Sequence, residues 1–213
     1  MSKKGRRKDS IEQFLSSQQP FLEHGLSQLR YMILIEGLKT PPGYDQCPYR
    51  SAVWSVLSRS APMALESYKL LLQAVPRLLP KPLYEKIKND TFRTLMNDTS
   101  FHLKVPEETL VRLLTLTALT AGKEAGYVQG MNVLLAPIAY ACHKSEPQAY
   151  ALFHHLVTKE IPLYVTPNLD GVHTALALVD VALALIDPVL SDYLDLKFLK
   201  AEIYAFPSVL TLC

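Results

Sequence analysis

Ile87-Lys88-Asn89-Asp90-Thr91-Phe92-Arg93-Thr94 and Tyr127-Val128-Gln129-Gly130-Met131-Asn132 are the stretches on which the reading of this 213-residue chain turns. The first sets an arginine in a polar segment directly after a helix-like run. Asn89, Asp90, Thr91, Thr94, Asn97, Asp98 and Ser100 surround it, a composition that belongs at the surface, where functional side chains concentrate. Asp90 precedes Arg93 by three positions, the spacing at which a helical carboxylate reaches a guanidinium and holds its direction. The second sets a glutamine beside a glycine at the head of an apolar run. Gly130 lets another backbone come close, and Tyr127 and Asn132 offer hydrogen bonds. Arginine and glutamine are the side chains nucleotide hydrolysis most often uses, one to neutralise phosphate charge and one to aim a water. Taken singly, each has a structural reading that outweighs the functional one: a surface ion pair for Arg93, a backbone turn for Gln129.

Outward from these stretches the apolar spacing is helical. No strand alternation, hairpin signal or fixed-period repeat interrupts it, so the fold class is all-α. Residues 27–37 open on a serine cap, run through Leu29, Met32, Ile33 and Leu34, and close on Gly37. Residues 48–57 place a proline at the first helical position, then Val53, Trp54 and Leu57 on one face. Residues 64–75 repeat the pattern with Tyr68, Leu71, Leu72 and Val75. Pro106-Glu107-Glu108 is a strong helix start, because acids in a first turn suit the macrodipole. A helix over 128–142 contains Pro137, which should kink it or cut it short. Ser145-Glu146-Pro147 starts the next, through Tyr150, Phe153, Leu156 and Val157. A long helix over 169–186 is ended by Pro188, and 197–204 gives one more. The final residues, 205–213, are largely apolar and need a partner surface, so the expectation is of a chain cut within a domain.

Composition removes several classes of function. With 49% hydrophobic and 20% charged residues the chain is globular rather than disordered. Lys3, Lys4, Arg6, Arg7 and Lys8 lie in the first ten residues with Asp9, leaving 17 basic and 19 acidic residues elsewhere. That balance is no footprint for nucleic acid, and the basic head reads as a solvated tail before it reads as a localisation or membrane-surface signal. Cys47, Cys142 and Cys213 form no C-x-x-C pair, so neither a disulfide framework nor a zinc site is indicated. His154 and His155 are adjacent on a helix and point to different faces. The apolar runs at 131–142 and 175–186 fall short of the ~20 residues that span a bilayer, and no secretory signal opens the chain. No G-x-x-x-x-G-K-[ST] loop is present, so the chain does not hold a nucleotide in that way. A soluble, intracellular protein is expected.

The two stretches, 36 positions apart from Arg93 to Gln129, resemble the signature motifs of the TBC domain, roughly I-x-x-D-x-x-R-T and Y-x-Q-G-M. That domain is the all-helical GTPase-activating module for Rab-type GTPases. The family's opening is matched too, by Leu29-Arg30 and by Tyr49-Arg50 followed by Val53-Trp54 and Leu57. The resemblance covers residues 26–213, with 1–25 a basic polar tail. Within the family the chain is most similar to the fungal mitotic-exit and septation branch, on L-S-Q-L-R-Y-M-I-L-I-E-G-L, Y-E-K-I-K-N-D-T-F-R-T, Y-V-Q-G-M-N-V-L-L-A-P and A-E-I-Y-A-F-P-S-V-L-T-L. Many members carry a tryptophan in a third signature where this chain has Pro207-Ser208-Val209 before Leu210-Thr211-Leu212. The family's closing helices should follow Cys213.

The resemblance implies a two-finger mechanism. Arg93 is then the arginine finger and Gln129 the glutamine finger, with Asp90 orienting Arg93, and Thr94, Tyr127, Gly130 and Asn132 in support. GTP and magnesium belong to the partner, a small Ras- or Rab-like GTPase, and the chain needs no cofactor or metal of its own. The branch further implies a second subunit in a two-component activator and a cytoplasmic location at the spindle pole body. The rival reading is a non-catalytic helical scaffold that binds a GTPase or a checkpoint partner.

Overall fold

Helices supply the regular structure of the described residues, 22–122 and 126–212, in this computed structural model, and no strand occurs among them. Lys3, Lys4, Arg6, Arg7, Lys8 and Cys213 lie outside the described residues. The chain falls into two compact units, one ending at Ala61 and the other beginning at Pro62.

In the first unit α1 (Leu22–Glu36) packs on α2 (Arg50–Leu57) through fully buried Leu29 and Val53, with Met32, Ile33, Leu38, Tyr49 and Leu57 around them. Helix α1 starts five residues before the expected serine cap. Buried Leu26 extends the apolar face back past Ser27, and a mid-helix serine costs only a few tenths of a kcal/mol or so. Gly37 closes α1 as expected, at φ +68°. Pro48 is not the first helical residue: it lies in a turn closed by Arg50 N–H donating to the Cys47 carbonyl at 3.2 Å.

The second unit is built around α6 (Glu107–Thr120), which packs against α3 (Leu65–Leu78), α4 (Lys81–Phe92), α7 (Met131–Ala141) and α8 (Glu146–His155). The short α5 (Thr99–Lys104) lies between α4 and α6 and is capped by Asp98, which accepts from Phe101 N–H at 2.9 Å. A helix apolar nearly all round belongs in a core. Leu110, Leu113, Leu114 and Leu116 are accordingly buried on α6. Its buried Thr115 and Thr117 return their hydroxyls to carbonyls four residues back, at 2.7 and 2.8 Å, and so leave no unmet donor.

Helix α7 departs from expectation at its start, and Pro137 does not cut it short. It runs unbroken through Pro137. Val133, four residues earlier, and Pro137 both face solvent, so the carbonyl that loses its helical donor is open to water. The helix begins at Met131 rather than 128, because Gly130 adopts φ +105°, where a right-handed helix cannot continue.

Helix α8 opens as read, with Ser145 Oγ accepting from Gln148 N–H at 3.4 Å. It passes into a π-helical turn at Leu156–Glu160 and a 3-10 turn at Pro162–Val165. The layer beyond consists of α9 (Asp170–Ile186), α10 (Pro188–Leu196), α11 (Ala201–Tyr204) and α12 (Phe206–Leu210). Pro188 does more than end α9. It opens α10, whose first turn is capped by Asp187 accepting from Leu190 N–H at 3.0 Å. Asp180, the charge within the apolar run of α9, accepts from Ala201 N–H at 2.9 Å and so caps α11. Of the apolar residues after 205, Phe206, Val209 and Leu210 pack on Val172, Leu176 and Ala201, whereas Leu212 is exposed.

A polar knot ties α3, α6 and α8 together. Glu146 accepts from Tyr68 Oη at 2.9 Å, Thr109 Oγ1 at 3.1 Å and Arg112 Nε at 3.0 Å, and Arg112 Nη2 reaches its second oxygen. Burial pushes the Glu146 carboxyl up, but donation from Arg112 and Tyr68 and the charge of Arg112 outweigh it and hold the carboxyl below its ordinary range. A group whose folded pKa is depressed stabilises the fold above its unfolded pKa and loses that contribution as pH falls through the folded value. Breaking a fully buried pair costs ~3–5 kcal/mol, but Arg112 is 41% exposed and solvent screening reduces this. Glu146→Gln is expected to lose about 1–3 kcal/mol in urea unfolding at pH 7. The gap between wild type and variant should narrow as pH falls below the ordinary glutamate value of about 4.5; a gap constant down to pH 3 would rule this account out.

Candidate functional site: the α4 end and the α7 entry

The last turns of α4 and the entry to α7 build the site. Ile87, Asp90, Thr91 and Thr94 are all buried. They recur at the i, i+3, i+4, i+7 spacing of one helix face, which Ile87 anchors in the core. Arg93 falls on the other face, and α4 ends at Phe92 just before it. The result is a buried acid directly beneath an exposed base: the Asp90 side chain is 4% exposed and that of Arg93 60%.

Asp90 is satisfied on every side. One carboxylate oxygen, Oδ1, accepts from Arg93 Nη2. The other, Oδ2, accepts from Tyr127 Oη at 2.8 Å. Its backbone carbonyl accepts from Thr94 Oγ1 at 2.8 Å and from Asn132 Nδ2 at 3.3 Å. Asn132 Nδ2 also donates to Thr94 Oγ1 at 2.8 Å, while Asn132 Oδ1 accepts from Gly130 N–H at 3.2 Å. Five of the residues read from the sequence, Asp90, Thr94, Tyr127, Gly130 and Asn132, thus form one connected network, with Arg93 attached to it. Burial first, then donation to Asp90 and the nearby negative charge, push the Tyr127 phenol well above its ordinary range, against the opposing charge of Arg93. It therefore remains a proton donor throughout the physiological range.

Gln129 stands apart from the network in one respect. Its side chain is exposed and has no hydrogen-bond partner among the described residues. Its position comes from the backbone on either side: Tyr127, locked to Asp90, and Gly130, locked to Asn132. Val128 N–H donates to the Met131 sulfur at 3.3 Å. Gln129 lines an open cleft of about 330 Å³ with Lys86, Gly126, Tyr127, Val128, Pro167 and Leu169. Arg93 lines a different open depression, with Leu95, Met96, Asn97, Asp98 and Thr99. Lys86, whose ammonium lies 5.8 Å from the centre of the Tyr127 ring, and the pair Pro167 and Leu169 were not legible as site residues, since no motif or spacing marks them. Among the described residues no group of three or more His, Cys, Asp or Glu side chains could hold a metal ion, and no helix is long and apolar enough to cross a membrane.

The sequence of the chain matches known proteins. The profile of the Rab-GTPase-TBC domain matches residues 47–213. The chain belongs to that family. It is 43% identical over 215 residues to the mitotic check point protein BUB2 of Saccharomyces cerevisiae, covering 95% of this chain and 69% of that protein. It is also 43% identical over 187 residues to cell division control protein 16 of Schizosaccharomyces pombe, covering 88% of this chain and 60% of the relative. A putative mitotic check point protein BUB2 of Dictyostelium discoideum is 32% identical over 184 residues, covering 82% and 48%. The chain therefore spans between about half and somewhat over two thirds of the length of these relatives.

The network predicts a contrast in stability. Tyr127→Phe leaves Asp90 Oδ2 buried without its donor and should cost about 1–3 kcal/mol in urea unfolding. Gln129→Ala removes an exposed side chain and should stay within about 0.5 kcal/mol of wild type. Equal stability of the two variants would contradict the arrangement.

Proposed function

We propose that this chain is a GTPase-activating module acting on a small Ras- or Rab-like GTPase in the control of mitotic exit and septation. The observation that carries the reading is the pairing of an exposed Arg93, tethered to a buried carboxylate, with an exposed Gln129 whose turn is tied to the same carboxylate through Tyr127. Membership of the Rab-GTPase-TBC family supplies the class of partner, and the checkpoint and division-control names of the relatives supply the setting.

In this reading the GTPase brings GTP and magnesium, and the chain brings two side chains. Hydrolysis is slow on a bare GTPase because charge accumulates on the phosphate oxygens and the attacking water is poorly held. Arg93 uses one N–H group on Asp90, and among the described residues its other donors have no further hydrogen-bond partner and can turn to phosphate oxygens. Gln129 offers both a carbonyl to accept from the water and an amide to steady it. An arginine supplied in trans is worth about 10³–10⁵ in rate, or roughly 4–7 kcal/mol of barrier. The proposal extends to a second subunit and to a place at the spindle pole body, in line with the branch that the motifs resemble.

Single-turnover hydrolysis with a panel of GTP-loaded Rab- and Ras-type GTPases tests the reading. Wild type should accelerate at least one of them. Arg93→Lys, which keeps the charge and loses the planar fork, should lower that acceleration by about 10³-fold or more, and Gln129→Ala by about 10²–10³-fold. Binding to the GTPase should be largely retained in both. Acceleration by Arg93→Lys equal to wild type would exclude the two-finger mechanism.

A further inference from the structure

We infer that Leu210, 81 positions from Gln129 in sequence, is a positioning residue for it; the inference rests on the GTPase-activating reading above. A side-chain carbon placed on Gly130 would lie 3.1 Å from Leu210 Cδ2 and 3.4 Å from Cδ1 and Cγ. The leucine head therefore lies flat over the Gly130 α-carbon. Gly130 is at φ +105°, and glycine moves between positive and negative φ at little cost. The turn carrying Gln129 thus hinges on the least restrained residue type in the chain, and what packs against that residue adds to the hold of its hydrogen bonds.

The hydrogen bonds fix one side of the turn. Tyr127 is bound to Asp90, and Gly130 N–H to Asn132. Met131 N–H closes the turn on the Val128 carbonyl at 3.2 Å, and Val133 and Leu134 N–H donate to the Gly130 carbonyl at 3.0 and 3.1 Å. Leu210 adds a packing restraint against the Gly130 α-carbon, and it is itself seated on the cluster of Val172, Leu176 and Ala201. Leu169, also packed against that cluster, lines the same cleft as Gln129. The exposed glutamine is therefore the surface end of a packed column that runs from the α9–α11 layer through Leu210 to Gly130.

The test uses the whole chain and a GTP-loaded Rab-type GTPase that the wild type accelerates. Leu210→Ala should lower kcat by about 10- to 100-fold, the scale of an ångström-size misplacement, with KM unchanged. Leu210→Met, which keeps a long apolar side chain over the glycine, should restore kcat to within about threefold. In a Gln129→Ala background Leu210→Ala should cost less than about twofold, because the group it positions is gone. The same loss in both backgrounds, or no loss in either, overturns the inference. Amide exchange supplies a readout free of activity: exchange at residues 127–131 should quicken in Leu210→Ala while α4 and α6 stay protected. Unchanged exchange at 127–131 also overturns it. Should Leu210→Ala unfold, the milder Leu210→Val is read by the same criteria. A wild type that accelerates no GTPase defeats the functional reading itself, whereas the exchange experiment still decides whether Leu210 holds the turn.

Discussion

Everything at the surface of this site depends on a carboxylate inside it. A charged Asp90 that the fold almost completely removes from water would cost several kcal/mol if left alone. It is accommodated because Arg93, Tyr127, Thr94 and Asn132 meet its side chain and carbonyl from two segments far apart in sequence. The dependence is mutual. The acid needs those donors to be buried, and the donors take their positions from the acid. A guanidinium tied at one corner to a fixed oxygen has lost part of its rotamer freedom before any partner arrives, which lowers the ordering cost of presenting it.

The second constraint is steric. Gly171 sits where an added side-chain carbon would fall 2.8 Å from the Tyr164 ring and 2.9 Å from the Leu163 backbone. The N-terminus of α9 can therefore press directly on the 3-10 turn before it. That close approach places Leu169 at the rim of the Gln129 cleft and sets α9 as the floor on which α12 lies. Two glycines, at 130 and 171, thus bring the outer helical layer against the site, one by permitting a left-handed turn and the other by permitting contact.

Much of this was legible in the sequence, and the reasons are local. The starts of α6 and α8 are encoded within one turn, by Pro106 with Glu107 and Glu108 and by Ser145 with Glu146 and Pro147. The Asp90–Arg93 pairing follows from a spacing of three on a helix. What the sequence concealed was set by distant partners. Ser27 is not a cap, because buried Leu26 carries the helix beyond it. Pro137 does not break α7, because its lost hydrogen bond faces water. Pro188 opens a helix as well as closing one, a choice made by the Asp187 cap. The Glu146 knot unites residues 34 and 78 positions apart, and no pattern in the chain announces such a pair. Leu210 was legible within the third-signature region and an apolar run, but not as a contact of Gly130.

The two presented side chains are held in opposite ways, and the difference has a physical logic. Arginine is long, and its guanidinium keeps its charge at any pH of interest. It can be steered by an ion pair and still have donors to spare. A glutamine steered by a comparable hydrogen bond would have its amide or carbonyl occupied, and the occupied group is the one a water would need. An uncommitted amide can be aimed only through the backbone that carries it. The chain meets that requirement with a buried tyrosine on one side of Gln129, a left-handed glycine on the other, and a leucine closing over the glycine. On the proposed reading, the absence of a partner for the Gln129 side chain among the described residues is a consequence of how it must act, and the packing beneath it is what makes that freedom usable.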